Sequence, residues 1–461
     1  MNKALHYLPI SKLAEKIRSR QLSPVELTEA YLERIDNLQP KLSAFVTVTK
    51  DQALTAARQA DSEIRKGYYR GPMHGVGFAL KDNFDSAGVE STACSELFRG
   101  RIPSEDSTVT ERLQEAGGIL LGKTTMSELA MVGAPGYGAE ARNPWNTAHA
   151  PGWSSSGSGV AVAAGMCAAA MGTDSGGSVR FPASANGIVG MIATYGRVSR
   201  HGVIPLTGAI DYAGPLTRTV YDTSTILQTI SGYDPKDAAS IAARAPNFAA
   251  TLKDGVRGLR LGVVTNDQAD VDPEIINTVN IAIRDLESQG ATLVDIELPF
   301  LEHSHIACSI IYLTEGYNLY HDALRRNPEK IGSVFRLYGN LGALFSATDY
   351  IQAQRLRSAM KKAMVTVYRQ VDALALPVTT SPAIDLESFD PLILSNHSRS
   401  GSAELFNLTG GTALSVPCGF SNNGLPIGLQ LAARPFDEST LLQVAYTYEE
   451  NNRWVDQHPS I

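Results

Sequence analysis

The spacing of apolar residues changes several times along the chain, and each change predicts a different kind of element. Near the N-terminus apolar residues recur every four positions, at Leu27, Tyr31 and Ile35. This is the spacing of one helix face. The pair Ser23 and Glu26 stands just before it as a capping box, which predicts where the helix begins. With a second, polar helix predicted over 51–66, we expect the segment 1–66 to be helical.

Between 71 and 215 short apolar stretches lie among dense glycine, serine and alanine. Apolar residues here alternate with other types, or form brief continuous runs, as in buried strands. The predicted elements of this region are a strand ending at Lys81, a strand over 119–121, a helix over 156–165 and a strand over 166–172.

Beyond residue 258 strand-like and helix-like patterns follow one another. The predicted elements are strands over 259–264, 292–298, 413–416 and 427–431, and helices over 273–289, 349–369 and 439–450. Strands and helices mixed throughout a chain indicate an α/β fold, and we expect one large domain over 1–461. The segment 300–400 shows the weakest pattern and is expected to form a cap over the functional site.

The composition is that of an ordinary globular protein, with 43% apolar and 19% charged residues in a chain of 461. A formal net charge of −7 argues against non-specific nucleic-acid binding. The longest apolar run, 160–171, is too short to span a bilayer. The four cysteines form no CxxC pair, and we see no signal peptide. We therefore expect a cytoplasmic protein that binds neither membrane nor nucleic acid.

Two serine- and glycine-rich blocks stand out as candidate chemistry, PGWSSSGSG over 151–159 and GTDSGGSVR over 172–180. The predicted helix between them rises about 15 Å at ~1.5 Å per residue, and the predicted strand returns about 23 Å at ~3.3 Å per residue. Because the two legs nearly cancel, Ser154 and Ser178 can meet although they lie far apart in the chain.

The second block suits the stabilisation of an oxyanion. A turn through two glycines can direct several backbone N–H groups inward, and we expect those of Ser175, Gly176, Gly177 and Ser178 to face the reacting carbonyl. Ser178 at the end of this turn is the candidate nucleophile. Neither block contains a histidine, so Lys81 is the candidate base, since burial lowers the pKa of a lysine and frees its neutral amine.

At these residues the sequence resembles the amidase signature family. The motif ALKDN over 79–83 looks like the family's lysine strand, and the two blocks look like its two serine motifs. Further landmarks of the same kind are NPW over 143–145, FPA over 181–183, TYGRVSR over 194–200, DYAGP over 211–215 and LPIGLQL over 425–431. The resemblance covers most of the chain and is weakest over 300–400.

The resemblance implies a mixed β-sheet core flanked by helices on both faces, with the signature core over 71–215. It also implies a cis peptide bond before Ser154, and a relay in which neutral Lys81 takes a proton from Ser154 and Ser154 takes one from Ser178. An acyl-enzyme then forms and is hydrolysed.

Supporting roles in this scheme fall to Ser155, Asp174 and Arg180, and residues expected in the substrate pocket are Met131, Gly133 and Trp153. No cofactor or metal is expected. The expected substrates are small-molecule amides, anilides or carbamates, with a side activity on esters left open.

Several positions depart from the family pattern. Trp153 and Ser156 stand where the family has glycine, Gly77 replaces a proline, and the segment 191–193 replaces a common Phe-Lys-Pro. These departures favour a free-standing hydrolase over the alternative, the glutaminase half (A-type subunit) of a transamidating complex. For Trp153 we weigh two placements: a wall of the acyl pocket, or a ring turned away into the core.

Two other patterns suggest different functions. Residues 117–124 match the phosphate-loop pattern, but their Ile-Leu-Leu favours a strand over a nucleotide-binding turn.

His303 and His305 lie two positions apart, so on a strand they would point the same way and could ligate a metal with Cys308. A polar surface cluster is the favoured interpretation. A catalytically silent or nucleotide-binding module is the least favoured function, because every triad position is filled.

Overall fold

The computed structural model describes residues 5–267, 270–390 and 401–461. Within these residues eleven strands join in one sheet. The strands are β1 Phe45–Val48, β2 Gly77–Lys81, β3 Ile119–Thr124, β4 Ala169–Asp174, β5 Val189–Ile192, β6 Tyr212–Thr217, β7 Arg260–Val264, β8 Thr292–Ile296, β9 Ala373–Pro377, β10 Thr412–Phe420 and β11 Pro426–Ala433.

The sheet is mixed, as the resemblance implies. Its strand order is β1-β3-β2-β4-β6-β5-β10-β11-β9-β7-β8. Strand β2 runs parallel to its neighbours β3 and β4, and β7 runs parallel to β8 and β9, whereas the other neighbours are antiparallel. Because β2 and β4 are parallel, Lys81 and Asp174 at their ends reach the same edge of the sheet, where ligands of such sheets usually bind.

Helices flank this sheet and pack against it, which confirms the expected α/β class. The α-helices are α1 Ile10–Arg18, α2 Pro24–Leu42, α3 Lys50–Arg65, α4 Thr108–Glu115, α5 Ser156–Ala163, α6 Arg180–Asn186, α7 Val220–Ile230, α8 Pro273–Ser288, α9 Leu301–Arg326, α10 Ser333–Gly342, α11 Ala347–Gln370, α12 Gly401–Thr409 and α13 Glu438–Asn452.

Local sequence signals account for several of these boundaries. Helix α2 begins at the predicted capping box, where Ser23 Oγ accepts the N–H of Glu26 at 3.1 Å and the Glu26 carboxylate accepts the N–H of Ser23 at 2.9 Å. The predicted strand over 119–121 is part of β3, which confirms that this stretch is not a phosphate-binding turn.

The expectation that 1–66 is wholly helical is wrong, because β1 lies between α2 and α3. A strand this short, at the sheet edge beside β3, carries too little of an alternating pattern to be predicted. Strands β5, β6 and β9 were also not predicted. They are buried along their whole length, so no alternation of apolar and polar residues marks them.

Helices α9 and α10 fill much of the segment whose pattern was weakest. They pack against each other and share an apolar cluster with the loop around Met131, to which Leu313, Tyr320 and Phe335 contribute. Residues 391–400, the end of the expected cap, lie outside the described residues. Among the described helices, none is both long and apolar enough to cross a membrane.

Candidate active site

Lys81, the last residue of β2, is fully buried at the carboxyl edge of the sheet. Its Nζ lies 2.7 Å from Ser154 Oγ and 2.8 Å from Thr173 Oγ1, and it is 3.3 Å from the carbonyl oxygen of Thr173. Thr173 belongs to β4, the parallel neighbour of β2, and Asn83 Nδ2 donates to the same Thr173 hydroxyl at 3.1 Å. The sheet therefore fixes the amine against one of the two candidate serines.

Burial lowers the pKa of Lys81 to about 7, because removal from water disfavours the charged ammonium. The carboxylates of Asp211 and Asp174 act in the opposite direction and raise it, but burial outweighs them. A substantial share of the lysine is therefore neutral near pH 7, whereas an exposed lysine would be almost fully charged.

Ser154 and Ser155 directly precede helix α5, with Ser155 at its N-cap position, and both are buried. The peptide bond between Trp153 and Ser154 is cis, as the resemblance implies. Ser155 Oγ donates to the carbonyl of Thr173 at 3.1 Å and accepts the N–H of Thr173 at 3.2 Å. The N–H of Ser155 donates to the carbonyl of Ser178 at 3.3 Å, so Ser155 joins the first serine block to the second.

Ser178 follows β4 by a short turn and lines a cleft in the protein. Unlike Lys81 and Ser154, it is only partly buried, so a ligand in the cleft can reach its hydroxyl. Within the described residues Ser178 Oγ forms no hydrogen bond. The structure thus brings the two serine blocks together through the backbone and leaves the Ser178 hydroxyl open to the cleft.

The turn over 175–178 supplies fewer free donors than expected. The N–H of Gly177 donates to Asp174 Oδ1 at 2.6 Å, so this group is already occupied and the expectation for Gly177 is wrong. The N–H groups of Ser175, Gly176 and Ser178 have no acceptor among the described residues. Gly177 instead shapes the turn: its φ is +120°, and a Cβ there would collide with the Phe181 ring.

A buried ion pair holds this turn in place. Arg180 Nη2 lies 3.0 Å from Asp174 Oδ1 and its Nε lies 3.1 Å from Oδ2, with both side chains fully buried. Asn407 and Gln430 accept two further guanidinium N–H groups at 2.6 and 2.8 Å. Burial raises the pKa of Asp174, but the Arg180 charge and the hydrogen bonds outweigh it and lower that pKa to about 2. Both residues lie beside the turn, and the supporting role that the resemblance implies for them stays a prediction.

The cleft in front of Ser178 has a volume of about 1130 Å³, including the part open to solvent. Trp153 lies in the wall of this cleft and stacks on Phe389, with 4.3 Å between the ring centroids. Of the two placements considered for Trp153, the structure therefore has the ring in the wall and not turned away into the core. Met131 also lines the cleft. Gly133 is not among the described residues that line the cleft. It is buried with a φ of +101°, a turn conformation that favours glycine, and its pocket role stays a prediction.

The two histidines considered as metal ligands lie on α9 rather than on a strand. Residues two apart on a helix point to different sides, so His303 and His305 diverge. His303 faces Glu302, whereas His305 Nδ1 lies 3.0 Å from both carboxylate oxygens of Glu404. In the described part of the chain no group of three or more His, Cys, Asp or Glu side chains could hold a metal ion.

Several residues of the site were not singled out from the sequence. Thr173 and Gln430 lie inside recognisable motifs, so the sequence indicates that they belong near the site but does not show which groups they contact. Asp211, which accepts the Ser175 hydroxyl at 2.5 Å, also lies in such a motif. Asn407 and Glu404 are on α12, which no pattern predicted. No local pattern marks these two residues, because their place in the site depends on which distant segments of the chain meet in the fold.

The model of the Amidase family matches residues 26–442. The chain is 39% identical to the A-type subunit of glutamyl-tRNA(Gln) amidotransferase from Myxococcus xanthus (strain DK1622), over 96% of this chain and 97% of that protein. It is 38% identical to an amidase of Pseudomonas putida, over 99% of both chains.

Among solved structures, native peptide amidase from Stenotrophomonas maltophilia is similar, with a TM-score of 0.87 and 31% identity over 96% of this chain and 97% of that one. The sequence departures described above were expected to separate the chain from the amidotransferase subunits. This expectation is wrong, because the identity to such a protein is as high as the identity to an amidase.

Proposed function

This chain belongs to the amidase family, and from that premise we propose that it cleaves the carbon–nitrogen bond of a carboxamide through an acyl-enzyme on Ser178. The observation that carries the proposal is the 2.7 Å contact between Lys81 Nζ and Ser154 Oγ, made by a lysine whose pKa burial lowers to about 7. A buried amine of this kind can act as a base near neutral pH.

The contacts of Lys81 suit the neutral form. A neutral amine has two hydrogens and one lone pair. The carbonyl and the hydroxyl oxygen of Thr173 can accept the two hydrogens, at 3.3 and 2.8 Å, which leaves the lone pair for the hydroxyl hydrogen of Ser154. Ser154 in turn takes the proton of Ser178 as Ser178 Oγ bonds to the carbonyl carbon.

The tetrahedral intermediate carries a negative charge on the former carbonyl oxygen. The unoccupied N–H groups of Ser175, Gly176 and Ser178 are the proposed donors to it. When the carbon–nitrogen bond breaks, the proton held by Lys81 returns through Ser154 to the leaving nitrogen, so the amine or ammonia departs neutral. Water then attacks the acyl-enzyme by the same relay, releasing the acid and restoring Ser178.

The wall of the cleft supports small-molecule amides as substrates. Met131, Trp153 and Phe181 give it an apolar surface beside Ser178, which suits an apolar or aromatic acyl group, an anilide or a carbamate. Tyr312 and Tyr338, from α9 and α10, also line the cleft, and we propose that these helices form the cap expected over 300–400.

The similar proteins support a second candidate function at least as strongly as the hydrolysis of small-molecule amides. The A-type subunits of glutamyl-tRNA(Gln) amidotransferases resemble the chain over nearly its whole length, so a subunit of this type that hydrolyses an amide and passes ammonia to a partner is the alternative. The chemistry at Ser178 would be the same. The two candidates differ in the substrate, a free small amide or glutamine, and in the need for a partner.

Ammonia release from the purified chain tests the proposal and separates the candidates. We expect apolar primary amides such as benzamide to release ammonia, and Ser178→Ala to abolish the release while the fold is kept. Glutamine as the one productive amide, with turnover raised by a partner protein, would establish the alternative. No product from any amide, anilide or carbamate would refute the main proposal, and no ammonia from glutamine with the partner protein present would refute the alternative.

A further inference from the structure

Among the described residues that line the cleft, one carries a charged side chain. This is Glu404, which is 9% exposed and lies on α12. The rest of the lining is uncharged, and its larger side chains are Met131, Trp153, Phe181, Leu206, Tyr312, Tyr338 and Ile384. A carboxylate in an apolar wall acts strongly on a bound ligand, because little water screens it there.

Glu404 lies beside the turn that faces the reacting carbonyl. A Cβ placed on Gly176 would be 3.3 Å from Glu404 Cγ and 3.8 Å from one of its carboxylate oxygens. The carboxylate is therefore close to the N–H groups proposed to hold the oxyanion. The negative charge of Glu404 repels the negative charge that develops on the carbonyl oxygen of the substrate. A positive group between the two would relieve this repulsion.

His305 orients the carboxylate from the side of α9. Its Nδ1 lies 3.0 Å from each Glu404 oxygen, and Ser309 Oγ lies 3.5 Å from its Nε2. A neutral imidazole with its proton on Nδ1 donates to the carboxylate and accepts from the Ser309 hydroxyl. In that state the pair keeps a net charge of −1. Each carboxylate oxygen has a further lone pair with which it can accept from a ligand in the cleft.

We propose that Glu404 is a specificity-determining residue that binds an ammonium group carried close to the scissile amide. The substrate class is then an amino amide with an apolar body: the body contacts the cleft wall, the ammonium group binds Glu404, and the amide carbonyl faces Ser178. This inference rests on the proposed hydrolysis of small-molecule amides at Ser178.

Three amides of one shape test the charge preference. They are 3-amino-3-phenylpropanamide, 3-phenylbutanamide, in which a methyl group replaces the ammonium, and 2-phenylsuccinic acid 4-amide, in which a carboxylate does. At pH 7.5 wild type should prefer the cationic amide over the neutral one in kcat/KM. Glu404→Gln should lower that ratio about tenfold to hundredfold, the usual loss for a charge-assisted hydrogen bond. The variant should also improve relative use of the acidic amide.

Comparing ratios between wild type and variant removes the intrinsic reactivity of each amide. Glu387→Gln is the matched control, since it makes the same change at an exposed position and should leave the ratios unaltered. Protection of Ser178 from a fluorophosphonate by each amide reads out binding without turnover, and equal labelling of unprotected wild type and Glu404→Gln shows an intact site.

The outcomes distinguish this inference from the proposed function. Equal ratios in wild type and Glu404→Gln, by turnover and by protection, would overturn the role of Glu404 alone. If no amide is hydrolysed, the proposed function fails, and the protection experiment still decides whether Glu404 selects a cationic ligand.

Discussion

Lys81 Nζ lies 2.7 Å from Ser154 Oγ, and neither side chain is more than 1% exposed. Desolvation lowers the pKa of the lysine, and the sheet fixes its amine through Thr173. Together these features would give a base at neutral pH without a histidine. The first two predictions follow from this contact.

Two substitutions of Lys81 distinguish the effect of its positive charge from the effect of its basicity. Lys81→Met removes the amine and should reduce amide turnover by about three orders of magnitude, within the range of general acid–base catalysis. Lys81→Arg keeps a cation that cannot lose its proton in a protein, and should be similarly inactive. Esters should be less affected in both variants, because their leaving group needs no returned proton. Steady-state kcat on paired amide and ester substrates provides the check, and near-normal amide turnover by either variant would refute the relay.

The pH dependence of kcat/KM should follow the ionisation of Lys81. The neutral amine is the proposed active form, so activity should rise about tenfold per pH unit below the pKa of about 7 and level off above it. Asp174 stays ionised throughout this range, because its pKa is lowered to about 2. A pH profile from 5 to 9 on a substrate that does not titrate is the measurement. A rate that is flat, or falls with rising pH, would show that Lys81 is not the base.

Loss of the Arg180 guanidinium should destabilise the protein strongly. Arg180→Met leaves Asp174 buried without its partner, and breaking a buried pair in this way costs about 3–5 kcal/mol in unfolding free energy. Arg453→Met is the matched control, because its pair with Asp456 is exposed and such pairs contribute about 0–1 kcal/mol. Urea unfolding of the three proteins gives the comparison, and equal losses in both variants would contradict the structural role of Arg180.

Trp153 should determine substrate choice more than stability. Its ring lies in the cleft wall against Phe389, so Trp153→Gly enlarges the cleft and should change the ranking of bulky and small acyl groups. Trp145→Phe is a useful contrast, because the Trp145 indole donates to the carbonyl of Asn186 and packs on Phe420 away from the cleft lining. Thermal unfolding and a substrate panel separate the two effects. An unchanged ranking with a large fall in melting temperature in Trp153→Gly would place its role in the core.

The parts of the fold that were predicted from sequence are those with a local signal. The capping box at Ser23 marks the start of α2, and the spacing of the two serine blocks brings Ser154 and Ser178 into one region. In contrast, β5 and β9 lie in fully buried positions where all residues are apolar or small, so the pattern carries no period.

The candidate site also divides into residues that the sequence predicts and contacts that it does not. Lys81 and the serines lie in recognisable motifs, and the structure adds which groups face them. Gly177 was expected to donate to the oxyanion because its type suits a turn, yet its N–H is used by Asp174, a competition that only coordinates reveal. Glu404 comes to the cleft from a helix more than two hundred positions beyond Ser178, and nothing local to its sequence marks it.

Ser178 is the nucleophile of the proposed reaction, and covalent labelling tests this role most directly. A fluorophosphonate forms a stable bond to an activated serine, and peptide mapping by mass spectrometry identifies the residue that carries it. We predict one adduct on Ser178 in wild type, strongly slowed labelling in Lys81→Met, and no adduct in Ser178→Ala. An adduct on Ser154, Ser175 or any other serine in wild type, with Ser178 unmodified, would contradict the proposed mechanism.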